Sequence, residues 1–318
     1  RRLEKKEGKL DIIKDSFLNI DINTKDNYEC IPPIWAAKNG HIEIVRLLLL
    51  QPGIDVNAKA FSEFSPLIWA ALKGHTEIAR LLLSHPNTDV NIKDNQGNTP
   101  LIWAALEGHT KIVQLLLSQP GIDINAKDNF EYTPLILAAA NGNTKIVQLL
   151  LSHPNTDVNI KNNSEYTPLI YATRNEHTEI ARLLLSHPNT DVNIKDNLGY
   201  TPLIYATKNR HVEIVRLLLS HPSINVNAKN NLGYTPLFYA TENRHKEIVE
   251  LLLSQPGIDI NAKDNNGDTP LIWAALEGRR EIVKLLLQQP GVEIEESYLL
   301  TIINLISQEN FDECTRIR

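Results

Sequence analysis

Residues 94–127 read DNQGNTPLIWAALEGHTKIVQLLLSQPGIDINAK, and the fold follows from how that stretch must behave. Asp94-Asn95-Gln96-Gly97-Asn98 is a run of turn formers in which Gly97 is free to take positive φ. Thr99 stands where an N-cap hydroxyl is wanted, and Pro100 occupies the first helical position, where its missing N–H does no harm. Leu101, Ile102, Ala104 and Ala105 have the spacing of one apolar helix face, with alanines small enough to let a neighbouring helix approach. Gly108 is expected to end that helix in a left-handed conformation. A second helix is predicted from about Thr110, with Ile112, Val113, Leu115, Leu116 and Leu117 as a broad buried face and Lys111 and Gln114 on the wet side. Pro120 drives the residue before it out of the α region and closes the helix.

The same unit recurs in steps of 34 with no insertion between Pro32 and Pro290. One proline series runs Pro32, Pro66, Pro100, Pro134, Pro168, Pro202, Pro236 and Pro270, and a second runs from Pro52 to Pro290 at the same step. A unit this short cannot bury its own apolar face, so a fixed period in this range marks a stacked solenoid. Leu183 and Leu217 are expected among its buried leucines.

The turn-helix-turn-helix unit resembles the ankyrin repeat through Thr99-Pro100-Leu101, Gly108-His109, the Ile-Val-x-Leu-Leu-Leu of the second helix and Asp123-Ile124-Asn125. Two departures stand out. The family's His of Thr-Pro-Leu-His is replaced by Ile34, Ile68, Ile102, Ile136, Ile170, Ile204, Phe238 and Ile272, so an apolar contact is expected where the family has a Thr–His hydrogen bond. The period is one residue longer than usual, and the extra residue is assigned to the Ser-x-Pro-x-x-Asp connection. The resemblance implies an all-α ankyrin-repeat solenoid of stacked helix-turn-helix units with β-turn or hairpin tips. Residues 1–24 are expected to form a capping half repeat, residues 25–294 eight repeats, and residues 295–318 an atypical helical cap. It further implies a non-enzymatic scaffold that holds a protein or peptide partner in a concave groove, or a targeting segment of a larger protein whose activity lies elsewhere.

Composition narrows the alternatives. The chain of 318 residues is 42% hydrophobic and 22% charged, enough for a packed core. A net charge of −6 gives no general electrostatic reason to bind nucleic acid or an anionic membrane, and the leucine clusters are too short for membrane insertion. Cys30 and Cys314 fall at opposite ends of the repeat array, which argues against a disulfide framework or a cysteine metal site and fits a cytoplasmic protein. Absence of methionine and a start at Arg1 suggest a piece of a longer or processed chain.

No catalytic, metal or cofactor motif emerges: there is no Gly-rich phosphate loop, His-Glu-x-x-His, Cys-x-x-Cys or Gly-x-Ser-x-Gly. All ten histidines occupy repeat frames and read as structural. Recognition is therefore sought where the repeats differ. Family resemblance places partner contacts at the second, third and fifth turn residues and near the end of the first helix. The fifth turn position carries Phe64, Tyr132, Tyr166, Tyr200 and Tyr234, expected to be exposed on the groove side. The helix end carries Leu72, Leu106, Arg174 and Lys208. A second aromatic series, Trp35, Trp69, Trp103, Tyr171, Tyr205, Tyr239 and Trp273, either wedges between repeats as core or lines the groove. Glu176, Arg210 and Arg244 replace the glycine that ends the first helix elsewhere, at a cost of about 1 kcal/mol each. Arg210 and Arg244 are either retained to bind an acidic segment, with Arg174 and Lys208, or the product of repeat drift.

Overall fold

The computed structural model describes residues 23–26 and 29–316, with residues 61 and 308–316 by backbone alone. Nearly all of the expected N-terminal half repeat lies outside the described residues. Residues 1–160 and residues 161–318 form two compact units.

In the first unit, helices come in pairs: α1 (Pro32–Lys38) and α2 (Ile42–Leu48), α3 (Pro66–Lys73) and α4 (Thr76–Leu83), α5 (Pro100–Leu106) and α6 (Thr110–Leu117), α7 (Pro134–Ala140) and α8 (Thr144–Leu151). The second unit repeats the plan with α9 (Pro168–Arg174) and α10 (Thr178–Leu185), α11 (Pro202–Lys208) and α12 (Val212–Leu219), α13 (Pro236–Glu242) and α14 (Lys246–Leu253), α15 (Pro270–Leu276) and α16 (Arg280–Leu287), then α17 (Glu296–Arg316). Within each unit, first helices pack on first helices and second helices on second helices, so the result is an all-α repeat solenoid.

Each first helix begins as its residues dictate. Thr99 Oγ1 accepts the Ile102 N–H at 3.2 Å, and Ser65, Thr133, Thr167, Thr201, Thr235 and Thr269 cap their helices identically; Ile31, before α1, cannot. The apolar residues that stand in the place of the family's histidine, from Ile34 to Ile272 and including Phe238, are all buried. Of the second helix, Ile112, Val113 and Leu116 are fully buried while Leu115 and Leu117 are half-buried. The same frame corrects the expectation for Leu183 and Leu217: both are half-buried, and Leu184 and Leu218 are the leucines with no exposure. A core stripe one helix turn apart selects the middle leucine of the three, and its neighbours flank that stripe.

Successive repeats are also stapled by asparagines. Asn91 donates to the Gly121 carbonyl at 2.8 Å and accepts from the Asp123 N–H at 2.9 Å, so one amide spans two connections. Asn23, Asn57 and Asn125 do the same in the first unit, Asn193, Asn227 and Asn261 in the second. These amides satisfy backbone groups that the tight connections would leave unpaired.

Candidate functional site

Where the first turn residue is Asp or Asn its side chain organises the tip; Ala60, in the second repeat, bonds through its backbone alone. Asp94 Oδ1 accepts the N–H groups of Gln96 and Asn98 at 2.9 and 2.8 Å, and its Oδ2 accepts the Trp103 indole N–H at 2.9 Å. Trp35 donates likewise to Asp26 at 2.6 Å, and Tyr205 OH donates to Asp196 at 2.6 Å. Where the first residue is asparagine, polarity reverses: Asn162 and Asn230 donate to Tyr171 and Tyr239 hydroxyls at 3.1 and 2.9 Å. In the fourth repeat, Leu137 offers no such partner to Asp128, and burial raises that carboxyl above its ordinary range. In the eighth, Trp273 Nε1 is buried without an acceptor.

Within each unit the two aromatic series pack against one another. Tyr166 meets Tyr171 edge-on at 5.4 Å and Tyr205 at 6.0 Å; Tyr200 lies 5.2 Å from Tyr205 and 5.7 Å from Tyr239; Tyr234 stacks on Phe238 at 4.1 Å. In the first unit Phe64 sits 4.8 Å from Trp69 and 5.9 Å from Trp103. Hydroxyls join the stack: those of Tyr166 and Tyr205 are bonded at 3.1 Å, with Tyr205 left as acceptor because its proton goes to Asp196, and those of Tyr200 and Tyr239 at 2.6 Å. Burial, foremost, raises the Tyr205 and Tyr239 phenols well above the ordinary tyrosine range.

The expected exposure of the turn aromatics is therefore corrected: Phe64, Tyr132, Tyr166, Tyr200 and Tyr234 are all half-buried, and first-helix aromatics close over one side of the Phe64, Tyr166, Tyr200 and Tyr234 rings. Tyr205 and Tyr239 are core, and Trp35 is exposed. Arg174 lies over the rings of Tyr166 and Tyr205 at 5.4 and 6.0 Å, and Lys208 over Tyr200 and Tyr239 at 5.0 and 5.6 Å. Leu72 and Leu106, at the ends of α3 and α5, are half-buried. Cys30, Trp35, Lys38, Phe64 and Trp69 surround an open cavity of about 410 Å³ in the first unit, with the Lys38 ammonium 4.6 Å from the Trp69 ring centre.

Arg210 and Arg244 lie elsewhere, on the turns between first and second helices, with φ of 62° and 59° as the loss of glycine requires. At this turn the left-handed residue faces the N-cap residue of the next repeat. A Cβ on Gly74 would come within 2.7 Å of the His109 ring, whose Nε2 is bonded to the Leu72 carbonyl at 3.2 Å. Where a side chain does occupy the position, as at Glu176 and Arg210, His211 and His245 use Nδ1 instead, toward the Thr173 and Thr207 carbonyls at 2.8 and 2.9 Å. The histidines are joints between repeats.

The resemblance pointed to the third turn position without naming its residues, and one further group escaped sequence reasoning. Phe130, Leu198 and Leu232, at the third turn position, are 62%, 58% and 54% exposed, the apolar side chains most plainly offered at the tips. Their signal was a large apolar residue inside a turn of polar formers. The lysine before each turn is that further group: Lys59, Lys127 and Lys161 pair with Glu63, Glu131 and Glu165 at 3.0, 2.8 and 2.5 Å, while Lys93, Lys195 and Lys229, whose turns carry glycine, donate to the next repeat's backbone at 2.7–2.9 Å.

Among the described residues no three His, Cys, Asp or Glu side chains converge as a metal site would need, and no helix is long and apolar enough to cross a membrane. A family model of ankyrin repeats (3 copies) matches residues 60–128, 123–196 and 188–264, and one of ankyrin repeats (many copies) matches residues 34–83 and 245–287. The search of curated proteins gives no match. Among solved structures, the ankyrin repeat domain of Bcl-3, described as a unique member of the IkappaB protein family, is similar with a TM-score of 0.64 and 28% identity, covering 71% of this chain and 99% of that one.

Proposed function

This chain belongs to the ankyrin-repeat family, whose repeats generally serve as protein–protein interaction modules, and we propose that it is a non-enzymatic scaffold that holds a protein or peptide partner along its turn tips and first helices. The observation that carries this reading is the set of exposed apolar tips, Leu198 and Leu232 in the second unit and Phe130 in the first, each two residues before a half-buried tyrosine. Apolar groups held in water on short rigid turns gain by being covered, and the tyrosines beside them add large area with little entropy to lose. Arg174 and Lys208, laid flat on tyrosine faces, give the same surface in the second unit a basic character that suits an acidic segment.

A photo-crosslinking amino acid placed at Leu198 tests the proposal against one placed at Arg182, on the exposed side of α10. Adducts with other proteins in lysate should form at position 198, and should fall by about tenfold when Leu232→Ser and Lys208→Ala are added, a loss on the order of 1–2 kcal/mol. Adducts that form equally from position 182, or survive those changes, would refute the groove reading.

A further inference from the structure

The turn between helices is a recurring joint in most repeats of this chain, and it breaks in one place. Gly40, Gly74 and Gly108 each face a His or Asn of the next repeat, and that residue bonds a first-helix carbonyl. Glu176 lies 3.9 Å from His211, whose Nδ1 keeps a first-helix carbonyl bonded. The joint between the seventh and eighth repeats has neither arrangement. Arg244 occupies the left-handed position, and Arg279 replaces the His or Asn. Lys246 and Arg280 stand where Thr110, Thr144 and Thr178 stand in other repeats. All four changes are to cations, and all four line one open cavity of about 390 Å³.

Acidic neighbours offset part of this charge at the surface. Glu281 is the single carboxylate lining the cavity, and it pairs with Lys284 at 3.8 Å. Glu277 meets Arg279 Nη2 at 3.3 Å and Glu250 meets Lys246 at 4.0 Å, and both carboxylates are about half exposed, where water and salt screen such pairs. The Arg279 side chain is 16% exposed, and its Nε is shielded from solvent with no acceptor in reach. The shielded Arg279 Nε–H without an acceptor, beside three further cations of which Arg244 sits in left-handed backbone, is an arrangement that an oxyanion completes.

We propose that this cavity is an oxyanion site that takes a phosphate monoester or phosphate dianion, held by Arg244, Lys246, Arg279 and Arg280. Guanidinium groups grip the oxygens of such an ion in pairs, and an ion of this size fits a cavity open on one side. The site lies on the inter-helix turns and is independent of the partner surface proposed above.

The test is a titration of the full chain with inorganic phosphate at fixed ionic strength, followed by amide chemical shifts and by the thermal midpoint, with sodium chloride as the reference. The comparison protein carries Arg244→Gly, Lys246→Thr, Arg279→His and Arg280→Thr, which restores the joint used by the chain's own second repeat. A second variant, Lys246→Thr alone, touches neither the left-handed turn nor the N-cap. Phosphate should raise the parent's midpoint beyond chloride and shift amides of residues 244–246 and 279–281. The restored protein should bind at least about tenfold more weakly and Lys246→Thr severalfold more weakly. A short phosphoserine peptide is the second arm: tighter binding than inorganic phosphate points to a phosphorylated chain as source, equal binding to a free anion. No effect beyond chloride in the parent, or an equal effect in the restored protein, overturns the site.

Discussion

Tyr205→Phe removes one oxygen and tests the link between turn and helix. In the folded chain Asp196 is 6% exposed and its carboxylate has three donors: Leu198 N–H at 2.9 Å, Tyr200 N–H at 2.8 Å and Tyr205 OH at 2.6 Å. Loss of the hydroxyl leaves one oxygen of a buried anion without its donor, which costs about 1.5–3 kcal/mol because the acceptor is charged. Asp196→Asn alone should be milder, within about 1 kcal/mol, since an amide can donate to the Tyr205 hydroxyl as Asn162 does to Tyr171. On that background Tyr205→Phe should cost only the neutral value of about 0.5–1.5 kcal/mol, so the two changes couple by about 1 kcal/mol. Urea unfolding followed by far-UV circular dichroism reads all four proteins, with the slope held common so that midpoints convert to free energy. A Tyr205→Phe cost that is the same in the parent and in the Asp196→Asn background would refute the view that this hydroxyl serves the turn carboxylate.

Leu218→Ala should cost about 2–5 kcal/mol by opening a cavity, while Leu217→Ala, at a half-buried position, should cost roughly half as much; equal urea midpoints would contradict the assignment of the core stripe. Asn91→Ala removes both ends of a staple and should cost about 1–2 kcal/mol, with hydrogen exchange at Asp123 accelerated well above that at Asp89. Burial, and secondarily Arg210, lowers the His245 pKa below 6.5 although its bond to the Thr207 carbonyl opposes this, so the folded chain binds this proton less readily than the unfolded chain. Its contribution is complete above pH 6.5 and is lost as pH falls from there through the folded value. His245→Asn, which copies the native Asn143 joint, should therefore flatten the loss of stability between neutral and mildly acidic pH, and an unchanged pH profile would show that His245 does not contribute.

The repeat frame was legible because each of its signals acts within a few residues. Thr99 and Pro100 set a helix start, Pro120 sets an end, and left-handed backbone at Glu176, Arg210 and Arg244 followed from alignment with glycine alone. What the sequence hid lies between repeats. Tyr166 and Tyr205 are 39 residues apart and bonded, and no local pattern says that one ring closes over the other. Three consecutive leucines blur a helical period that Leu116 alone satisfies, so Leu183 and Leu217 looked as good as Leu184 and Leu218. The lysine before every turn is constant, and its two roles become visible only when the partner, Glu131 or the next repeat's carbonyl, is in view.

Two kinds of glycine replacement occur in this chain, and their compensation separates drift from use. At the tips, Glu63, Glu131 and Glu165 take the left-handed position, and the lysine four residues earlier meets each carboxylate, so the change is absorbed within one repeat. At the inter-helix turns the neighbour that must adjust belongs to the next repeat. His211 and His245 do so by presenting Nδ1 in place of Nε2, which keeps the carbonyl bonded while making room for Glu176 and Arg210. Drift that is tolerated should look like this, with the joint preserved by a different atom. At Arg244 the facing position in the next repeat is another arginine, Arg279, and two more cations gather around it in place of threonines. Glu250 and Glu277 offset part of this charge at the half-exposed surface, and the like charges still held together at a strained turn favour an added anion. The seventh and eighth repeats are therefore where an anion, and not further repacking of the chain, resolves the departure.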